Sequence, residues 1–203
     1  MTSAWTIVKV GGSLYDLPDL RVRLQAWLAH LAAKKVLLVP GGGATADVIR
    51  HFDQVHGLGE EAAHWLAIQT LSVNARFLQT LLPGVPVCDA SPQTEGLHIL
   101  DALPFFLADE EKPNHLPHAW EVTSDSLAVR AATVHGAKEL ILLKSAGWPS
   151  CTWPEAWHAG MLDDHFAHAM QQAPEGMRVR LVNLRTWSAP TGVLDPRASP
   201  APG

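Results

Sequence analysis

The chain has 203 residues, a length that suits one domain or one domain with a small lobe. With 47% hydrophobic and 17% charged residues it can fill a sizeable core, which excludes wholesale disorder, and its net charge of −5 (histidines neutral) argues against a nucleic-acid surface, since backbone phosphates need clustered excess Lys and Arg. No apolar run approaches the ~20 residues of a membrane span, the start from Met1 to Trp5 lacks the basic-then-apolar order of a signal peptide, and Cys88 and Cys151 are too few for a disulfide framework or a Cys-rich metal site, so the expected compartment is the cytoplasm.

Residues 5–10 (Trp-Thr-Ile-Val-Lys-Val) are β-rich and end at Gly11-Gly12, which predicts a buried strand running into a turn. Over 18–34, Leu20, Leu24, Trp27, Leu28 and Leu31 fall at helical spacing behind Pro18, a helix starter. Residues 36–39 read as a second strand, stopped by Pro40-Gly41-Gly42-Gly43, and a helix follows over 44–55. Residues 60–82 predict a long helix with two apolar stripes, Ala62, Leu66, Val73, Phe77 and Leu81 on one and Ile68, Leu71, Ala75, Leu78 and Leu82 on the other. A helix apolar on two sides lies between layers or at a subunit interface. Short strands at 85–88 and 97–100 come next, then a helix over 101–108 and a loop over 110–120 holding Pro113 and Pro117. A helix over 123–135, a strand over 139–144, a helical segment over 160–171 and a strand over 178–183 complete the order. Alternating strands and helices imply an α/β fold, a three-layer αβα sandwich around a mostly parallel central sheet. Residues 1–187 are expected to form a single domain, and 188–203, rich in Pro, Ala and Gly, a flexible tail.

Three segments carry chemistry. In Lys9-Val10-Gly11-Gly12-Ser13, a lysine-bearing strand runs into a glycine pair. Backbone without Cβ lets N–H groups approach an anion, and Lys9 adds a charge beside them; the other reading is an ordinary strand with a tight turn. In Pro40-Gly41-Gly42-Gly43-Ala44-Thr45, a glycine run ends a strand and opens a helix whose N-terminus carries free N–H groups; the other reading is a flexible loop. Two such turns after neighbouring strands would open at the C-terminal edge of a parallel sheet, where ligands bind. In Val122-Thr123-Ser124-Asp125-Ser126, the polar residues are either helix caps or bring the Asp125 carboxylate close to Lys9 and Lys144. The sequence has no Walker A motif, no G-x-G-x-x-G fingerprint and no protein-kinase signature.

In this order the three segments resemble the amino acid kinase superfamily, over most of residues 5–147. The stretch 41–71, with His56-Gly57-Leu58-Gly59 and Ala62-Ala63-His64-Trp65, is similar to a short archaeal-type branch that includes a kinase for an aminomethylfuran-methyl phosphate in methanofuran biosynthesis. The resemblance implies ATP-dependent phosphoryl transfer, with Mg²⁺, to a small phosphate or carboxylate acceptor. It implies that Lys9 contacts the transferring group, that Asp125 orients Lys9, and that Gly11, Gly12 and Ser13 hold nucleotide phosphates with Lys144 and Gly147. Gly41, Gly42, Gly43, Asp47 and His64 would face the acceptor. A homodimer or higher homo-oligomer paired through the helix at 60–82 is also implied. Residues 143–147 (Leu-Lys-Ser-Ala-Gly) replace the family's usual acidic segment. Where many relatives carry a second catalytic lysine, this chain has Glu175-Gly176-Met177-Arg178, so Arg178 or Arg180 would stand in for it. These departures keep two alternatives open: a binding or regulatory subunit on the kinase fold, and an anion- or metal-storage relative.

The 11 histidines invite a metal reading. His115 with His118, or His165 with His168 beside Asp163 and Asp164, could share a helix face, but neither pair has a His-Glu-x-x-His pattern or a Cys partner, so no metal site is expected. His51, His56 or His64 could hydrogen-bond an acceptor. Trp148, Trp153 and Trp157 could form a lid on the adenine side or pack on the core.

Overall fold

The computed structural model describes residues 4–89, 92, 94–146 and 160–188. Its strands are β1 (Trp5–Val10), β2 (Lys35–Pro40), β3 (Val87–Cys88), β4 (Gly96–Leu100), β5 (Glu139–Lys144) and β6 (Arg178–Asn183). Its helices are α1 (Leu20–Ala29), α2 (Ala44–His56), α3 (Glu60–Leu81), α4 (Ala102–Asp109), α5 (Ser124–Val134) and α6 (Phe166–Gln171), with a short 3-10 turn at Gly12–Leu14. The strands form one sheet in the order β3-β4-β2-β1-β5-β6, and every pairing is parallel. Parallel central strands are covered on both faces, so they read as unbroken apolar runs; all six residues of β1 are buried.

Two cores flank the sheet. Trp5 and Ile7 of β1 pack with Ile68 and Leu71 of α3, Phe105 and Phe106 of α4, and the apolar residues of α5. Val8 and Val10 pack with Leu20, Leu24 and Trp27 of α1 and with Ala75 and Leu78 of α3. By the two-residue alternation of a strand, Lys9 shares the face of Trp5 and Ile7, against α5. The helix α3 supplies both cores, which accounts for one apolar stripe. The other is only partly in the core: Leu81 packs against it, but Val73 is 61% and Phe77 36% exposed. On α2, which buries no residue, Val48, Phe52 and Val55 are also exposed.

Two helices are shorter than their periodicity predicts. The span 18–34 yields only Leu20–Ala29, with Pro18 ahead of the N-cap Asp19. At its end His30 N–H and Leu31 N–H close three-residue turns on Trp27 and Leu28, and Lys34 is already committed to the sheet, accepting from Gly96 N–H at 2.7 Å. The span 160–171 is α-helical only from Phe166 to Gln171, because Asp163 is occupied elsewhere, as described below. Among the described residues no helix is long and apolar enough to cross a membrane.

Candidate active site

The ends of β1 and β2 open side by side, with Val10 in register with Pro40. The residues beyond them divide into anchors and free donors. Gly11 N–H donates to Leu143 O at 2.8 Å, and Gly41 N–H to Val10 O at 2.8 Å. Gly41 is further clasped by Tyr15, whose hydroxyl accepts from its N–H at 2.9 Å and donates to its carbonyl at 3.1 Å. Burial pushes the Tyr15 phenol far up, so it stays protonated. The N–H groups of Gly11 and Gly41 are therefore spent on the fold; the expectation that Gly11 N–H holds a phosphate does not hold, and Gly41 acts behind the pocket rather than in its wall.

Gly12 and Gly43 meet backbone to backbone. A Cβ at Gly12 would lie 2.1 Å from Gly43 N, and one at Gly43 would lie 2.7 Å from Gly12 O. Gly43 also has φ 57° and ψ −151°, a region open essentially to glycine alone. Among the described residues the N–H groups of Gly12, Gly42 and Gly43 have no hydrogen-bond partner, and all three glycines line a cavity of about 510 Å³. Gly43 caps α2, so the helix's first N–H groups and its positive dipole end lie at the same place.

The second glycine turn is held from behind by Asn74 of α3, a residue that sequence reasoning missed. Its buried amide lies 2.7 Å from Gly41 O, 2.8 Å from Gly42 O and 2.9 Å from Thr45 Oγ1. Thr45 in turn donates to Gly42 O at 2.6 Å. Asn74→Ala should destabilise the protein by about 1–3 kcal/mol, the cost of leaving buried acceptors unpaired. If the turn serves an acceptor, acceptor KM should rise more than ATP KM; chemical denaturation and steady-state kinetics check both effects.

Lys9, Asp125 and Lys144 form one buried cluster. Asp125, in the first turn of α5, places Oδ1 2.9 Å from Lys9 Nζ, an ion pair rather than an aligned hydrogen bond. Its Oδ2 accepts from Lys144 Nζ at 2.5 Å, and Lys144 also donates to Met161 O at 2.8 Å. Lys9 and Asp125 are 5% and 4% exposed. Burial alone would raise the Asp125 carboxyl, but the Lys9 and Lys144 ammonium groups outweigh it and hold it below the usual carboxylate range. Burial, then the Lys9 charge, hold the Lys144 ammonium below its ordinary value. Two ammonium groups around one carboxylate leave a net charge of +1 on this cluster. Lys144 is thus neither a solvated strand-end lysine nor remote from Lys9.

Asp163 fixes α5. Its carboxylate accepts from Thr123 N–H (3.0 Å), Thr123 Oγ1 (2.7 Å), Ser126 N–H (3.0 Å) and Ser126 Oγ (2.5 Å). Two backbone N–H groups and two hydroxyls at the helix N-terminus are satisfied in this way, and a negative charge is placed at the positive dipole end. Thr123 and Ser126 do behave as capping residues, but toward a carboxylate from a distant segment.

Arg178 and Arg180 do not stand in for a second lysine. Arg178 pairs in register with Glu139 at the start of β5, opposite the end where Lys144 sits. Both guanidinium groups face Glu139, at 3.7 and 2.9 Å. Arg185, beyond the end of β6, reaches the correct edge, donating to Ser13 O at 3.0 Å and pairing with Asp16.

The opposite cavity wall carries Asp47, Arg50, Glu60, His64 and Trp120. Burial, then His118 beside it, push the His64 imidazole down to about 4, so it is neutral near pH 7. His51 and His56 are exposed and outside the lining. Ser13 lines the cavity, its Oγ 2.8 Å from Ser145 Oγ. His115 and His118 lie in a loop rather than on one helix face. Gly147, Trp148, Trp153 and Trp157 lie outside the described residues.

Three comparisons bear on this geometry. The profile of the amino acid kinase family matches residues 4–147. A (5-(aminomethyl)furan-3-yl)methyl phosphate kinase of Methanocaldococcus jannaschii is 29% identical over 140 residues, 67% of this chain; the aligned part spans 63% of that protein's length. The fold is shared with UMP kinase of Bacillus anthracis (TM-score 0.60, 12% identity, 91% of this chain and 89% of that one). It is likewise shared with UMP kinase of Ureaplasma parvum (TM-score 0.59, 12% identity, 91% and 92%).

Proposed function

The chain belongs to the amino acid kinase family, and we propose that it transfers the γ-phosphoryl group of ATP to a small acceptor that already carries a phosphate or carboxylate. One observation carries this reading: the Lys9–Asp125–Lys144 cluster, with its surplus positive charge, borders the same cavity as the unpartnered N–H groups of Gly12, Gly42 and Gly43. Phosphoryl transfer asks a protein chiefly for in-line positioning and for fixed positive charge around the equatorial oxygens. In this reading Lys9 touches the transferring group, Asp125 holds both ammonium groups in place, and Lys144 supplies the second cation. An acceptor oxygen that is already ionised at pH 7 needs no general base.

Mg²⁺ would arrive on the nucleotide's phosphates. The carboxylates beside the cations do not fit a directly held ion, since Asp125 is shared between two ammonium groups and Asp163 is spent on four donors.

The acceptor we favour is an aromatic ring bearing both a phosphate ester and a cationic amine, the chemistry in the name of the M. jannaschii relative. The phosphate suits Lys9 and the glycine N–H groups; the acidic Asp47 and Glu60, with Trp120, suit an amine-bearing ring on the far wall. Glu60→Gln should raise KM for an amine-bearing acceptor by on the order of 10-fold, about 1.4 kcal/mol, and leave KM for an amine-free phosphate ester unchanged. Equal KM changes for the two would remove the amine from the proposal.

The proposal extends to a homodimer through the exposed stripes of Val48, Phe52 and Val55 on α2 and Val73 and Phe77 on α3. A monomer in sedimentation at working concentration would rule it out.

A further inference from the structure

Behind the wall that carries His64 lies a second cluster of donor groups, none of which lines the cavity. We propose that Glu110, His115 and His118 bind one divalent transition-metal cation of the zinc class. One donor atom from each residue lies within 4.8 Å of the other two, close enough for small side-chain shifts to bring all three onto one ion.

The arrangement around His118 is the main argument. Glu61 of α3 sits 2.5 Å from His118 Nδ1. A carboxylate on one ring nitrogen orients the ring and holds a proton there, the relay found at metal-bound histidines; a cation would displace the proton that the second carboxylate, Glu110, favours on the other nitrogen. That other nitrogen, Nε2, is buried and forms no hydrogen bond. It lies 3.1 Å from Glu110 Oε2 without being aligned for a bond. His115 Nδ1 lies 3.7 Å from the same oxygen. Two imidazoles therefore converge on one carboxylate oxygen; a cation among them would take the His118 and Glu110 donors, with His115 Nδ1 giving up its 3.3 Å hydrogen bond to Leu116 O.

The donor chemistry selects the metal. Two imidazole nitrogens and one carboxylate suit Zn²⁺, Co²⁺ or Ni²⁺, whereas Ca²⁺ and Mg²⁺ take oxygen ligands. Three protein ligands leave a position for water. The ion would act as a clasp. Glu110 follows directly on α4, His115 and His118 belong to the loop after it, and Glu61 ties His118 to α3. The same loop continues to Ala119 and Trp120, which line the cavity, and the His118 ring stacks on His64 at 4.3 Å.

The test needs no activity. Tag-free protein stripped with a chelator is titrated with Zn²⁺ alone, and bound metal is counted by elemental analysis after dialysis. One equivalent per chain is expected. His115→Asn, at an exposed position, should lower the affinity at least 10-fold, and Glu61→Gln by 10–100-fold. Co²⁺ in place of Zn²⁺ should give the visible absorption of a low-coordinate site, absent in His118→Asn. Absence of stoichiometric binding, or binding that His115→Asn and Glu110→Gln leave unchanged, would overturn the proposal and assign the buried His118 Nε2 a proton instead. Because ATP and acceptor are not present, the outcome is independent of the kinase reading.

Discussion

Replacing Lys9 with methionine should lower kcat by on the order of 10²–10³-fold, the usual cost of removing one fixed donor from a site of charge development. Methionine nearly preserves the volume of the side chain, so the packing against α5 survives. What changes is charge. Two ammonium groups and one carboxylate sum to +1; without Lys9, Asp125 and Lys144 sum to zero, and the cavity wall no longer offers surplus charge to a phosphoryl group. The surviving 2.5 Å bond between Lys144 and Asp125 keeps the carboxylate paired, so the variant avoids the larger penalty of a lone buried ion. Thermal unfolding should move little while kcat collapses. Lys9→Arg should rescue poorly, because a planar fork cannot occupy the site of a compact ammonium that is 5% exposed. A Lys9→Met enzyme retaining more than about a tenth of its kcat would remove Lys9 from the chemistry.

Gly12→Ala should cost about 3 kcal/mol or more and abolish activity. The added Cβ would lie 2.1 Å from Gly43 N, 2.4 Å from Gly43 Cα and 2.9 Å from Gly42 C. These are backbone atoms, so no rotamer change relieves the clash. Nor can either loop retreat cheaply: Gly11 is bonded to Leu143, Gly41 to Val10, and Asn74 holds the carbonyls of Gly41 and Gly42. Gly57→Ala is the control. Gly57 has φ +61° but nothing within 4 Å of its added Cβ, so only the left-handed backbone cost of about 1–2 kcal/mol applies. Denaturant midpoints that move equally for the two variants would show that the glycine turns do not press on each other.

The order of strands and helices is legible in the sequence because each buried strand is a short apolar run closed by glycine, and Lys9 stands out as the charge inside such a run. The Lys9–Asp125–Lys144 grouping follows from the same reasoning, since all three stand where strands end or a helix begins at one edge. Sequence cannot tell a glycine whose N–H is free from one whose N–H completes a strand pairing, and Gly11 and Gly41 proved to be of the second kind. Asn74 left a faint signal, a lone amide between Leu71, Ala75 and Leu78 on the buried side of α3. Asp163 left none, because its partners Thr123 and Ser126 come from a distant part of the chain. Arg178 and Arg180 lie toward the start of β6, roughly 17 Å and roughly 10 Å along the strand from the edge where ligands bind, a distance that follows from strand rise alone.

The central claim is phosphoryl transfer at the cation cluster, and phosphorus NMR of the complete reaction tests it most directly. With ATP, Mg²⁺ and an aminomethylfuran-methyl phosphate, the account predicts ADP and an equal amount of a new diphosphate ester, both absent with Lys9→Met. No ADP with that acceptor or with a panel of other phosphate- and carboxylate-bearing acceptors, together with no ATP binding by calorimetry, would contradict it.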